Sequence, residues 1–212
     1  MISIRKATKD DIPLIIKGIL AIETHPISLS DTYSNIFGSD IDTTKEYLNQ
    51  FFLDDENFDT ELSLNTYTIA EVDGIAAGCC ALILTNVNYY QNKSELFPIH
   101  LKGDHLSSFI HKAKNLPETK SYSENKYLIQ YVFVDDLFRG KGVAEFLLKH
   151  IISEMKNLTD ELYIDVLESS PHLIQYYAKF GFSEYETMEI DTQENKIYPS
   201  IKKVILKKNL KD

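Results

Sequence analysis

The sequence predicts an α/β (α+β) protein in which one mixed, mostly antiparallel central sheet of about seven strands is flanked by helices. Three observations carry that expectation. Residues 126–144, KYLIQYVFVDDLFRGKGVA, run from strand-forming side chains through a glycine turn, and Val143, Phe146, Leu147, Ile151 and Met155 then follow at helical spacing. The runs 66–72 and 75–85 flank Asp73-Gly74, a strong hairpin signal. Two alternating runs near the end, 182–190 and 200–206, suggest a terminal antiparallel hairpin.

In order, Ile2 and Ile4 alternate with polar neighbours as in a short strand, and Thr8 with Asp11 forms a capping pattern. A helix follows through Ile12, Ile15, Ile16, Ile19 and Leu20, with Pro13 tolerable in its first turn. From 23 to 42 the periodicity fails, which reads as a loop with at most a helical turn. Thr43 or Thr44 is the expected cap of a second helix through Tyr47, Leu48, Phe51 and Phe52. After the hairpin, a polar segment at about 87–125 reads as an insertion between the third and fourth strands, with one helix capped by Asp104 and carrying Leu106, Phe109, Ile110 and Ala113. Residues 162–167 then read as a strand, Pro171 opens a short helix, and Gly181 ends it.

Composition limits the function. The chain has 212 residues, 43% of them hydrophobic, enough for one domain spanning 1–212 with a full core. A net charge of -10 and a pI of about 5.1 argue against nucleic acid as a partner and suit amine-bearing ligands. No signal-peptide layout and no apolar run of about 18 residues is present, so no membrane partner and a cytoplasmic location are expected. Cys79 and Cys80 are neighbours on a strand and point to opposite faces, which excludes a disulfide framework and leaves them as small buried hydrophobes. His100, His105 and His111 match no metal-ligand spacing, so they read as solvated loop residues and no metal is expected.

The turn Arg139-Gly140-Lys141-Gly142-Val143-Ala144, preceded by Val134, resembles the coenzyme A pyrophosphate loop of the GNAT superfamily of N-acetyltransferases. Tyr177-Ala178-Lys179-Phe180-Gly181-Phe182 is similar to that family's helix-end signature, and Arg5-Lys6-Ala7-Thr8 with Asp11-Ile12 to its opening. The likeness is strongest from about 132 to 182. It implies a GNAT-like fold, acetyl-coenzyme A as co-substrate, and a small-molecule or protein amine as acceptor. Physically, amides at a helix N-terminus behind two glycines make an anion site, to which Arg139 and Lys141 add charge.

The resemblance further implies that the strand at Val132-Phe133-Val134 parts from its parallel neighbour, so that its backbone holds the cofactor arm and polarises the acetyl carbonyl. Ser170 stands where many relatives have an asparagine on that arm. Tyr177 matches the family's general acid, which protonates the leaving thiolate after direct attack by a neutral amine. The residue matching the glutamate base of some members is Leu128. Asp165, Gln130, Tyr131 and Glu71 are the polar residues that could replace it, with Asp165 first as a base or a water-ordering group. His25, Tyr33, Phe37 and Asp40 are candidate acceptor contacts. The alternative function is a catalytically inactive coenzyme A-binding regulatory or interaction domain, and a homodimer is left open.

Overall fold

The computed structural model describes residues 1–24, 31–114, 125–168, 170–189 and 202–211. Seven strands, β1 (Ile2–Lys6), β2 (Tyr67–Val72), β3 (Ile75–Leu84), β4 (Tyr127–Val134), β5 (Glu161–Leu167), β6 (Ser183–Glu189) and β7 (Lys202–Asn209), form one sheet in the order β1-β2-β3-β4-β5-β7-β6. Every neighbouring pair is antiparallel except β4 and β5. The mixed sheet read from the sequence is therefore present, with Asp73-Gly74 closing the β2–β3 hairpin.

Seven helices flank it: α1 (Ile12–Glu23), α2 (Thr32–Phe37), α3 (Ile41–Leu53), α4 (Val87–His100), α5 (Gly103–Ala113), α6 (Val143–Met155) and α7 (Pro171–Ala178). On one face, α1 to α4 bury Ile15, Ile19, Phe37, Leu48, Phe51 and Phe97 against Ile69, Cys79 and Phe133. On the other, Leu147, Leu148, Ile151 and Tyr177 pack over Cys80, Ile129 and Ile164. Cys79 and Cys80 thus enter different cores, as strand alternation requires.

Three helix starts differ from the sequence reading, the first two because an aspartate caps them. Asp31 accepts from the Ser34 amide at 2.8 Å and starts α2 within the expected loop, and Gly38 stops it with φ 67°. Asp40 accepts from the Thr43 amide at 2.8 Å, so α3 begins ahead of Thr43 and Thr44. Asp104 is a first-turn residue of α5 rather than its cap. The largest difference is α4, which polar composition and Pro98 conceal. Asn86 caps it, and its buried Tyr89, Leu96 and Phe97 lie on one stripe. Residues 87–113 are therefore core-forming, since Leu96, Phe97 and Leu101 are buried with α1 to α3. His100 and His105 belong to this packing and are not loop residues: His100 Nε2 lies 2.7 Å from Asp54 Oδ2, and His105 Nδ1 2.8 Å from the Tyr47 hydroxyl.

Two glycines set the spacing of the layers. A Cβ on Gly18 would stand 2.8 Å from the Phe133 ring, so glycine lets α1 approach β4. A Cβ on Gly78 would stand 2.6 Å from the Phe133 carbonyl oxygen, which is backbone and cannot swing aside. Gly78→Ala is expected to cost about 1–3 kcal/mol, read as a lower urea midpoint at unchanged slope; an unaltered midpoint would contradict this packing.

The sheet's outer edge is tied by Arg5. Its guanidinium donates to both Asp11 oxygens at 2.6 and 2.8 Å and to Glu71 at 2.6 Å. Burial alone would raise the Asp11 carboxyl, but Arg5 and the Thr8 amide and hydroxyl together hold it below its ordinary value. A depressed carboxylate stabilises the fold above its unfolded pKa of about 3.9, and that contribution is lost as pH falls through the folded value. Denaturation series from neutral to acid pH should therefore show a shallower acid decline for Asp11→Asn than for the parent, alongside a neutral-pH loss of about 1–3 kcal/mol. Parallel acid limbs would refute the coupling.

Candidate functional site

The site begins where β4 leaves β5. Their parallel pairing consists of Leu128 with Tyr163 and Ile129 with Ile164. Beyond it, Asp165, Val166 and Leu167 pair with β7, while β4 continues along β3. The split coincides with a bulge: Tyr131 has φ 52°, and the β3–β4 register shifts between Cys79 and Ala81. A wedge therefore opens between residues 130–134 and 165–167. The β4 edge facing it offers backbone groups with no β5 partner. Val132 and Val134 face the α6 core, whereas Phe133 faces α1 over Gly18.

The expected loop closes one end of the wedge. Gly140 and Gly142 have φ 77° and 80°, and a Cβ at either would meet nothing within 4 Å. Glycine is required here by dihedral angle, and the space beside the loop is open. Gly142 caps α6 without any side-chain hydrogen bond, so first-turn amides from Val143 and Ala144 onward face outward at the positive end of the helix. Val143 is buried and holds this end against Gly78, its Cγ1 3.0 Å from where a Cβ would be. Arg139 pairs with Asp136 at 2.9 Å in an exposed contact, and the Lys141 ammonium lies 4.9 Å from the Phe138 ring centroid. Asp135 is turned aside, bound by Lys17 at 2.7 Å and by the Leu137 amide, which hold its carboxyl below the usual range.

Tyr177 approaches from α7. The structure resolves its register against Tyr176: Tyr177 is 5% exposed within the α6 core, and Tyr176 is half-buried at the rim. Gly181, at φ 85°, returns the chain so that Phe182 packs its ring 6.3 Å from Tyr177. Burial first, then Tyr176, Asp165 and Cys80, push the phenol well up, so it carries its proton at neutral pH. Ser170 precedes α7, its amide donating to the Leu167 carbonyl at 2.9 Å, and its side chain makes no capping bond.

On the opposite face, Asp165 lies 2.5 Å from Lys203 Nζ and accepts from Gln130 Nε2 at 3.3 Å. Because a carboxylate only accepts, this contact turns Gln130 Oε1 away from Asp165, where it is buried without a protein partner. Leu128 is buried in a third cluster with Ile83, Tyr163 and Ile205. Glu71 is engaged by Arg5, two strands away from the wedge.

Of the acceptor candidates, His25 lies outside the described residues. Phe37 sits fully buried among Tyr33, Tyr47, Phe51, Phe97 and Phe109, and Asp40 is the exposed cap of α3. Tyr33 alone reaches the bulge, its hydroxyl 3.0 Å from that of Tyr131. Tyr131 in turn donates to Glu23 Oε1 at 3.1 Å. Beside them Glu61 is buried, bound by Lys93 of α4 at 2.5 Å and by the Tyr89 hydroxyl at 3.0 Å. Sequence reasoning missed Glu23, Glu61 and Lys93, since none belongs to a motif and their meeting depends on α4. Among the described residues, no group of three or more His, Cys, Asp or Glu is placed to hold a metal ion, and no helix is long and apolar enough to cross a membrane.

A mixed, mostly antiparallel seven-stranded sheet flanked by helices is the fold this chain shares with solved acetyltransferases. Residues 29–182 match the model of the acetyltransferase (GNAT) family, and the chain belongs to that family. It is 33% identical over 52 residues to a spermine/spermidine N(1)-acetyltransferase of Bacillus subtilis (strain 168), a match covering 24% of this chain and 34% of that relative. Its fold is similar to an N-acetyltransferase from Staphylococcus aureus Mu50, with TM-score 0.71 and 15% identity over 97% of this chain and 99% of the other. It is likewise similar to a polyamine N-acetyltransferase of Drosophila melanogaster, with TM-score 0.56 and 14% identity over 99% and 100% of the two chains.

Proposed function

We propose that this chain is an N-acetyltransferase that moves an acetyl group from acetyl-coenzyme A to a primary amine of a small molecule or protein by direct attack. The observation that carries the reading is the wedge: a bare β4 edge, an open glycine loop on an uncapped helix, and a buried protonated phenol converge on it. These residues fit the co-substrate. Amides from Gly140 to Ala144, with Arg139 and Lys141, would hold its diphosphate, and the β4 edge at Val132 to Val134, with Ser170, would hold its arm and acetyl carbonyl. The co-substrate supplies an activated acetyl thioester. Tyr177 is suited to give its proton to the departing thiolate. Asp165, held by Lys203 and Gln130, is suited to order water or the amine beside the wedge. Because two of the similar proteins are named for polyamines, small polyamines are the first acceptors to test.

Thiol release from acetyl-coenzyme A, measured over a panel of primary amines including spermidine, tests the activity. Turnover is expected, and Tyr177→Phe should lower it by on the order of 10²-fold while calorimetric binding of coenzyme A stays within about twofold. Tight coenzyme A binding with no thiol release from any amine would instead support a catalytically inactive coenzyme A-binding regulatory or interaction domain. Gly142→Ala tests the loop separately: forcing a side chain into the left-handed region costs about 1–2 kcal/mol, so coenzyme A binding should weaken about tenfold. Undiminished affinity would move the diphosphate elsewhere.

A further inference from the structure

The bulge sends the Tyr131 side chain to the α1 and α2 face, where the direction of its hydrogen bonds can be worked out. A carboxylate only accepts, so Tyr131 must donate its single proton to Glu23 Oε1. In the Tyr33–Tyr131 pair, 3.0 Å apart, Tyr33 is then the donor. The hydrogens run from Tyr33 to Tyr131 to Glu23, all toward the carboxylate. The Tyr131 oxygen retains acceptor capacity, and the residue is half-buried on the strand that borders the wedge. Burial, and then neighbouring groups that include Glu23 and Glu61, push both phenols far above their ordinary value, so each stays protonated and can pass a proton on only as it receives one.

Resting on the acetyl-transfer reading, we propose that Tyr131 and Glu23 form the proton-accepting route that Leu128 cannot supply. An N–H bond of the acceptor ammonium breaks and its proton passes to Tyr131 Oη, while the proton of Tyr131 passes to Glu23 Oε1. The phenol ends as a phenol and the carboxylate as a carboxylic acid. The nitrogen keeps the electron pair with which it attacks, so charge and atoms balance. Tyr131 is the catalytic residue here because it touches the amine, and Glu23 acts through it. Among the described residues, Tyr33 from α2, Tyr131 from β4 and the Glu61–Lys93 pair bound to α4 are titratable groups on this face. The left-handed backbone at Tyr131 also gains a purpose, since it turns one strand residue out of the ladder and onto this face.

The test is the pH dependence of kcat/KM for the full chain, from about pH 6 to about pH 10, with saturating acetyl-coenzyme A and spermidine or the most active amine of the panel. Near neutrality Glu23→Gln and Tyr131→Phe should each lower kcat/KM by on the order of 10²-fold. The deficit should shrink as pH approaches the pKa of the amine, because solution then supplies the neutral nucleophile. Binding of acetyl-coenzyme A should stay within about twofold of the parent. An equal deficit at every pH, or none, overturns the route while leaving acetyl transfer standing. Absence of thiol release by the parent with every amine would instead overturn the enzymatic reading and this route with it. Should Glu23→Gln fail to fold, Tyr131→Phe, which keeps the ring in its packing, decides the matter alone.

Discussion

The structure depends on a conflict inside one strand. β4 must pair with β3 on one side and with β5 on the other, and beyond the bulge at Tyr131 it keeps β3, in a shifted register, and loses β5. A left-handed backbone on an aromatic residue costs on the order of 1–3 kcal/mol and persists only where its surroundings over-determine it. They do so here from three sides. Phe133 is pinned over Gly18, its carbonyl abuts Gly78, and the Tyr131 hydroxyl is held by Tyr33 and Glu23. Below the split, Leu128 and Ile129 remain paired, so the sheet opens like a hinge with one end fixed.

Two cores keep the wedge open by pulling its sides to different partners. Phe133 and Tyr131 belong with α1 and α2, whereas Val132, Val134 and Ile164 belong with α6. β5 meanwhile keeps an unbroken seven-pair ladder with β7, which leaves Asp165 to Leu167 no freedom to follow β4. Closing the gap would require stripping side chains from one core or the other, at a transfer cost of roughly 1.5–3 kcal/mol for each large residue exposed. The opening is thus a consequence of packing and not of a loose region.

Much of this was legible in the sequence, because short-range rules govern it. The β2–β3 hairpin followed from Asp73-Gly74, the loop from glycines that needed positive φ, and α7 from Pro171 and Gly181. Tyr177 was singled out by its match to the family's helix-end signature, and its burial beside a half-buried Tyr176 became visible only in the fold. What stayed hidden depends on contacts distant in the chain. α4 is polar enough to resemble a loop, and it is Leu96 and Phe97 packing with α3, and Tyr89 packing in the third cluster, that make it a helix worth burying. The family resemblance implied that β4 parts from β5, but the residue that turns out was hidden, since β4 reads as an even strand and nothing in YLIQYVFV marks Tyr131. Glu23 and Glu61 belong to no sequence motif, yet the fold brings them within electrostatic reach of the same phenols.

Charge is then distributed asymmetrically across the sheet. In a chain of net charge -10, the α6 terminus with Arg139 and Lys141 is a local positive region, set on the face opposite Glu23, Glu61 and the phenols. Long-range repulsion of phosphates by the whole chain falls off within a Debye length of about 8–10 Å, whereas oriented amides act at contact distance. On the proposed function, an anionic ligand would be accepted where those amides point, and a cationic amine would be favoured on the acidic side. Under the acetyl-transfer reading, the two reactants would be drawn to opposite faces and could meet only through the wedge. On that reading the strained residue in β4 would serve three ends at once: opening the passage, baring the edge that would bind one reactant, and turning a phenol toward the other.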